Sequence, residues 1–219
     1  MKNLFFALSL LFISFISTAQ YQEKDGNRIG ITVGVSQTTL NTSNFTAQPG
    51  IGWNGGLSVR GNYYNNWSMI FGMQFFENNF KIGTLTPTAQ KADVKYSLSG
   101  AQLRLLLSYN VVKNHVSIDF GPVLQVNGDL KIDTKEENNI ISGTTLKANQ
   151  ILEVSKINGN LYGGISAGNR RLRAIVFYQY GFTNVLNKLN SQEELTLHNG
   201  NKTFKGNLGT LSGQILFNL

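Results

Sequence analysis

From residue 29 onward the chain alternates apolar and polar residues with a period of two. In the first alternating segment, Ile29, Ile31, Val33 and Val35 are separated by glycine and threonine residues. Since successive side chains of a β-strand point to opposite faces, this pattern predicts strands with one apolar and one polar face. Segments of this kind cover residues 29–36, 50–60, 67–77, 94–109, 115–128, 156–167, 172–183 and 207–219. The pattern therefore predicts an all-β chain with eight strands.

The fourth segment changes the phase of its alternation. Apolar residues occupy even positions from Val94 to Leu98, but odd positions from Leu103 to Tyr109. An extra residue in a strand reverses the direction of every side chain that follows it. We therefore expect a β-bulge near Gly100.

The polar faces of the segments consist mainly of glycine, serine, threonine, asparagine and glutamine. Such a face suits the interior of a membrane barrel whose apolar face is turned toward lipid. A soluble lipocalin-like ligand-binding barrel has an apolar interior and a charged exterior, and it is the alternative if the two faces are inverted. The charged fraction of 14% favours the membrane barrel, because soluble domains average about 25%.

Long and short connections alternate along the chain. The long ones cover residues 38–49, 78–93, 129–155 and 184–206, and the short ones cover 61–66, 110–114 and 168–171. In an up-and-down barrel this alternation places all long loops at one end, as in outer-membrane barrels with short periplasmic turns. The sheet must also close, because an open edge would leave unpaired backbone groups in lipid. We therefore predict an eight-stranded antiparallel up-and-down transmembrane β-barrel over residues 29–219.

The N-terminus has the three parts of a secretory signal peptide. Lys2 supplies a positive charge, residues 4–16 are apolar, and residues 17–19 form a small-residue cleavage site. We expect residues 1–19 to be removed and residues 20–28 to form a short periplasmic tail. The chain contains no cysteine, which excludes disulfides and thiolate metal sites. Export and a barrel pattern together predict the cell outer membrane as the location.

Two stretches carry a family resemblance. Residues 101–109 read AQLRLLLSY and precede a strand that contains Gly-Pro, and residues 178–184 read YQYGFTN. These stretches resemble the PorT-like outer-membrane β-barrel family of Bacteroidota. The chain departs from that pattern at Arg104, where the family often has proline, and at its last residue, Leu219, where such barrels usually have an aromatic residue. The resemblance implies a barrel without catalytic residues, in a family with some members that assist protein secretion or gliding.

Short motifs in the chain do not support an enzymatic role. Residues 50–55 match the pattern G-x-G-x-x-G, but a strand continues where a dinucleotide site needs a helix. Ser166 lies in a nucleophile-elbow pattern that is also followed by a turn and a strand. His115 and His198 fall at opposite ends of the predicted barrel, without ligand-spaced partners. We therefore predict no catalytic, metal-binding or cofactor-binding residue, and no cofactor.

Two charged residues, Arg104 and Asp119, lie deep in the predicted strands. If residue 109 pairs with residue 116, they become diagonal neighbours on the interior face, so we predict a structural ion pair between them. The alternative is a selectivity filter in a pore. The interior of an eight-stranded barrel is only just wide enough for side chains, which favours the structural pair.

Basic residues without acidic neighbours collect at the short-turn end. Loss of Lys2 with the signal lowers the formal net charge from +7 to +6. The surplus forms a predicted periplasmic basic rim of Arg60, Lys113, Arg170, Arg171 and Arg173. Contact with anionic phospholipid headgroups explains this rim most simply. A sharper hypothesis is that it docks a periplasmic protein or a cell-wall polymer. Nucleic acid is not an expected partner of an exported protein.

The sequence therefore predicts a non-enzymatic, monomeric outer-membrane barrel in contact with membrane lipid and lipopolysaccharide. Its role would be envelope structure, secretion or interaction with a cell-surface partner. The loops at 129–155 and 184–206 are the expected interaction surfaces, because function concentrates in loops on a rigid scaffold. A small-solute channel is one alternative. A lipid-modifying enzyme is another, although the positions of the histidines disfavour it.

Overall fold

A computed structural model of the protein describes residues 28–219, with the side chains of Asn62 and Tyr63 left aside. The predicted signal peptide and most of the predicted tail lie outside the described residues. The strands are β1 (Arg28–Thr42), β2 (Ala47–Tyr64), β3 (Trp67–Leu85), β4 (Lys91–Val112), β5 (Val116–Lys131), β6 (Ile140–Ile141), β7 (Ile157–Gly168), β8 (Leu172–Gly181) and β9 (Gly206–Asn218). Eight of these strands are long, and β6 is a two-residue addition.

The eight long strands form one closed antiparallel ring. Each pairs with its neighbours along the chain, and β9 pairs with β1 from Gly30–Asn218 to Thr42–Gly206. Strand β6 adds to the end of β3. The predicted eight-stranded antiparallel up-and-down transmembrane barrel is therefore confirmed. Over residues 28–219, the structure contains no helix that is long and apolar enough to span a membrane.

The half of the barrel nearest the short turns has an apolar exterior. Val33 and Val35 point outward and are each 65% exposed, and Phe75 is 56% exposed. Along β3 the outward apolar residues run from Trp67 to Phe75, about nine residues, which is the length that a tilted strand needs to cross a bilayer core. The rings of Trp67 and Tyr109 pack 5.0 Å apart at the lower edge of this belt. An apolar exterior contradicts the soluble lipocalin-like alternative.

Strands β1 to β5 continue well above the apolar belt. Residues 38–49 and 78–93, which the sequence predicted as long loops, are mostly strand. The chain between β1 and β2 is only residues 43–46, and the chain between β3 and β4 is residues 86–90. These strand segments were not predicted because their outward residues are polar and their inward residues are apolar, the reverse of the pattern in the lower half.

Strand β4 keeps one phase throughout its length. Its even-numbered side chains point inward, from the buried Val94 to the buried Ser108, and its register with β3 is continuous. The bulge predicted near Gly100 is therefore not in β4 itself. An irregularity does lie beside Gly100, but the extra residue belongs to β5, at Gly128 and Asp129. The apolar residues change face along β4 because the surroundings of the strand change.

The two long connections above the belt form a folded cap. Residues 132–156 and 182–205 contain three short 3₁₀ helices and the helix α1 (Glu193–His198). Their apolar side chains are buried against the inner wall of the upper barrel. The largest fully buried members are Phe80, Ile82, Tyr96 and Leu98 from the wall, and Ile141, Leu146, Ile151, Leu186, Leu189 and Phe204 from the cap. The cap and the upper wall thus enclose the larger hydrophobic core of the described residues.

Candidate functional site

A cluster of charged and hydroxyl side chains fills the lumen near the short turns. Asp119 is paired with Arg60 at 3.5 Å, and both side chains are nearly or fully buried. The carboxylate of Asp119 also accepts hydrogen bonds from Ser108 and Ser117. The structure thus gives Asp119 a different partner from the predicted Arg104. Sequence reasoning placed Arg60 at the rim, whereas in the structure its side chain turns into the lumen and reaches Asp119.

Arg173 joins the same cluster from β8. Its guanidinium donates to the Ser166 hydroxyl at 2.9 Å and to the Asn114 carbonyl at 3.3 Å. The Ser117 hydroxyl lies within reach of both Arg173 and Arg60, at 3.4 Å from each. Arg60 therefore pairs directly with the carboxylate, whereas Arg173 is joined to it through the Ser117 hydroxyl. This arrangement neutralises part of the charge and leaves Ser166 fully engaged.

Arg104 lies one level higher and has aromatic neighbours. Its guanidinium sits 4.4 Å from the ring centre of Phe177 and 5.2 Å from that of Tyr162, in the range of cation–π contacts. The Gln102 amide oxygen, when turned toward Arg104, accepts from it at 2.7 Å. Arg104 therefore forms a layer across the lumen together with the stacked rings of Tyr162 and Phe177.

Amide side chains fill the remaining lumen. Gln74 donates to Thr32 at 3.0 Å and accepts from Gln214 at 2.9 Å. Nearer the cap, Asn160 donates to Gln125 at 3.2 Å. All of these groups are buried, and hydrogen bonds between side chains replace those that water would make. The lumen is thus a packed polar core.

The lumen at the level of Arg60 and Arg104 holds one small cavity of about 30 Å³. That volume corresponds to about one or two water molecules. Gln74, Asp119 and Tyr162 also line it. The side chains around this cavity leave room for isolated water but not for a passing solute.

The cap is fastened to the upper wall by hydrogen bonds as well as by apolar packing. The buried Tyr96 hydroxyl of β4 donates to the Ala148 carbonyl at 3.0 Å. Burial raises the pKa of Tyr96, so the neutral hydroxyl is the form that the cap stabilises. Asn190 accepts from the Phe204 backbone at 2.7 Å and so joins the two arms of its loop. The cap is therefore tied both to the barrel wall and across its own loop.

The predicted basic rim divides into two groups. Arg60 and Arg173 lie inside the lumen, as described above. Lys113, Arg170 and Arg171 are exposed at the short turns. Of the five residues of the predicted basic rim, these three can contact lipid or a partner without a change in the barrel.

The weak chemical motifs occupy structural positions. Residues 50–55 lie within β2, where a side chain at Gly52 would meet the carbonyl of Glu77. His115 lies at a short turn, and His198 lies in the cap beside Thr145, with 2.8 Å between the Thr145 hydroxyl and Nδ1. Within residues 28–219, no three histidine, aspartate or glutamate side chains come together as metal ligands do.

Comparison with known proteins yields likeness in structure only. No family model and no curated protein matches the chain. Neisserial surface protein A superposes with a TM-score of 0.51 at 13% identity, over 88% of this chain and 98% of that one. The outer membrane protein OprG from Pseudomonas aeruginosa gives 0.45 at 12% identity, over 91% and 99%. Ail, the attachment invasion locus protein of Yersinia pestis, gives 0.45 at 12% identity, over 90% and 100%. The likeness to the Neisserial protein supports the eight-stranded membrane barrel fold.

Proposed function

We propose that this chain is a non-enzymatic barrel protein of the outer membrane that presents a rigid, folded cap to the cell exterior. The proposal rests on the way that two different outer surfaces follow each other along the barrel axis. An apolar belt suited to lipid lies directly below a polar-surfaced cap with its own hydrophobic core. A barrel anchored in this way holds the cap surface in a fixed orientation, which suits interaction with a partner.

The orientation of the barrel follows from the lengths of its connections. Short periplasmic turns and long extracellular segments are the rule in outer-membrane barrels. The exposed Lys113, Arg170 and Arg171 at the short turns would then face the phospholipid leaflet, whose anionic headgroups attract basic residues. This assignment puts the cap outside the cell and favours a membrane-contact role for the exposed rim.

The packed lumen argues against a small-solute channel. Arg104, Tyr162 and Phe177 cross the lumen, and the cap closes it above. We expect no stable conductance above the baseline when the purified protein is added to planar lipid bilayers. Steady single-channel steps would contradict the non-channel proposal.

Catalysis is also disfavoured by the side-chain arrangement. Ser166 is fully buried and bonded to Ser117 and Arg173. The rings of His115 and His198 are bonded elsewhere, to the Lys113 carbonyl and to Thr145. A nucleophilic serine needs a base within hydrogen-bond reach. Replacing Ser166, His115 and His198 should therefore leave the lipid A profile of the host unchanged.

The PorT-like resemblance adds a finer hypothesis, in which the barrel assists secretion through a periplasmic partner. The exposed Arg170 and Arg171 are the residues through which such a partner would bind. Under this hypothesis, changing both residues to glutamate abolishes co-purification of the partner with the barrel. Unchanged recovery of the partner would leave lipid contact as the role of the exposed rim.

Fractionation of the native host tests the main proposal. We expect the protein in the outer membrane, with an SDS-gel mobility that differs between heated and unheated samples, because closed barrels resist SDS until heated. Recovery as a soluble periplasmic protein without such a shift would overturn it.

A further inference from the structure

Three lysines form a row on the outer wall above the apolar belt. Lys81 of β3 lies directly opposite Lys95 of β4, and Lys131 of β5 lies opposite Ser97, diagonal to Lys95. Directly opposed residues have Cβ atoms about 5 Å apart, and diagonal neighbours lie about 7–8 Å apart. All three side chains are exposed. One anionic group could therefore contact all three ammonium groups.

The row faces sideways from the barrel. Its neighbours along the strands, Phe80, Tyr96 and Leu130, are buried beneath the cap, so the lysines point in the opposite direction. If the apolar belt lies in the bilayer, a surface that faces sideways above the belt faces whatever polar groups the adjacent membrane lipids extend beyond the hydrocarbon core. The ligand that this surface meets is therefore a component of the membrane.

The positive charge of the row is not balanced by ion pairs. Like charges directly opposite each other destabilise a sheet. Among the described residues, no carboxylate lies within salt-bridge distance of Lys81, Lys95 or Lys131. Asp129 pairs with Lys156, and Asp93, the acidic neighbour of Lys95 on the same face of β4, accepts from Gln48. An anionic ligand would relieve the repulsion between Lys81 and Lys95.

The opposite flank of the barrel has no such charge. The outward residues at a similar height on β1 and β9 are the neutral Thr39, Asn41 and Asn207. A purely solubilising surface would spread its charges around the ring. The lysines that lie within described strands, Lys81, Lys91, Lys95 and Lys131, are all on β3, β4 and β5 instead.

The height of the row distinguishes between kinds of headgroup. Lys81 is six residues above Phe75, the top of the belt on β3. At about 3.3 Å per residue and a tilt of about 40°, this is a rise of roughly 15 Å. Phospholipid headgroups extend only about 5–8 Å beyond the hydrocarbon core. A glycolipid whose charged saccharides stand higher above the core matches the row better.

We propose that Lys81, Lys95 and Lys131 bind the phosphate-bearing saccharide headgroup of an outer-leaflet glycolipid. This inference rests on the proposed function, because it needs the cap to lie outside the outer membrane. It assigns to β3–β5 a lateral lipid-binding face that is separate from the upper surface of the cap.

The test titrates purified, detergent-solubilised barrel with rough lipopolysaccharide that carries a phosphorylated core. The test variant replaces Lys81, Lys95 and Lys131 with serine. The matched control replaces Lys147, Lys202 and Lys205, three exposed cap lysines, with the same change in net charge. We expect about a five-fold loss of affinity for each row lysine removed at low salt, and less than two-fold for the whole control set. Dephosphorylated lipopolysaccharide should bind the wild type as weakly as it binds the test variant.

Equal affinity of the test variant and the wild type would overturn the proposal. Lysine-dependent binding of equal strength to phosphatidylglycerol would also overturn it, because the height argument excludes a short headgroup as the preferred ligand. Gel mobility of unheated samples shows that each variant is folded. The titration does not depend on location in the host, so failure of the fractionation test and failure of this inference are separate results.

Discussion

The lower and upper halves of strand β4 follow opposite rules. Below Gly100 in the barrel wall, the outward residues from Leu103 to Tyr109 are apolar and the inward ones are mostly polar. Above it, Lys95 and its outward neighbours are polar, whereas the inward residues are apolar and buried. The backbone direction and the register with β3 stay the same. What changes between the two halves is the environment on each side of the wall: lipid or water outside, and the polar lumen or the apolar cap inside.

This comparison shows what a period-two pattern reports. Alternation identifies a strand, but the face on which the apolar residues lie depends on which side is shielded from water. In the lower half the exterior meets lipid, so the lumen is the polar side. In the upper half the exterior meets water, and the cap makes the interior the apolar side. An inversion of the pattern can thus mark a membrane boundary instead of a bulge.

The largest expected effect breaks the polar core of the lower half. Replacing Asp119 with alanine removes the carboxylate that pairs with the nearly buried Arg60, in a cluster that also holds the buried Arg173. Removal of one partner of a buried ion pair costs about 3–5 kcal/mol. We expect a loss of that size in the free energy of unfolding, measured by urea denaturation in lipid vesicles. Asp129→Asn is the control, because its pair with Lys156 is exposed to solvent and should contribute little to stability.

A comparable change in the upper half should separate the two regions. Phe204→Ala removes a fully buried ring from the cap, at a cost of about 3–5 kcal/mol to the packing there. We expect rapid proteolysis within residues 182–205, while the heat-dependent gel shift of the barrel persists. Leu197→Ala, at an exposed site of the cap, should leave both readouts unchanged. Simultaneous loss of the barrel in Phe204→Ala would show that the halves fold as one unit.

The close approach of strands in the wall can be tested with two glycines. A Cβ at Gly52 would lie 1.9 Å from the Glu77 carbonyl oxygen, whereas a Cβ at the outward Gly213 would have no neighbour within 4 Å. We expect Gly52→Ala to destabilise the barrel by about 1–3 kcal/mol, because the backbone must move. Gly213→Ala should be nearly neutral in the same urea assay.

The smallest expected effect concerns pH and the cap. The pKa of Tyr96 is raised above its ordinary value of 10.0 by burial and by the negative charge of Glu136. Its contribution to cap stability is therefore complete below pH 10 and is lost as the pH rises toward the folded-state pKa, by about 1 kcal/mol per pH unit. We expect cap proteolysis to increase above pH 10 in the wild type more steeply than in Tyr96→Phe. Parallel pH profiles would contradict a neutral, buried Tyr96.

Sequence reasoning predicted the membrane half well, because its alternation is strong and local. In the membrane half of strands such as β3 and β9, every second residue faces lipid, and nearly all of these residues are apolar. The upper half was mistaken for loops at residues 38–49 and 78–93, because its apolar residues face a core supplied by distant segments. That core joins Phe80 and Tyr96 to Leu189 and Phe204, which no local pattern connects.

The lumen was harder to predict than the fold. Asp119 was recognised as an interior charge, but its partner depends on the exact register of neighbouring strands. Arg60 reaches it from β2, across positions that the sequence does not link. The row of Lys81, Lys95 and Lys131 escaped notice for the same reason, since residues far apart in sequence become neighbours only through strand pairing.

According to the two-solvent account, the lower wall of the barrel faces lipid and the upper wall faces water. Its most direct test is a cysteine scan along β4 in reconstituted membranes, which is straightforward because the chain has no cysteine. The account predicts that Lys95→Cys and Ser97→Cys react with a water-soluble maleimide, whereas Leu103→Cys and Leu105→Cys are reached only by a lipid-soluble reagent. The inward Tyr96→Cys should be protected until the cap is opened. Lipid-soluble labelling at Lys95→Cys, or free aqueous labelling at Leu103→Cys, would contradict the account.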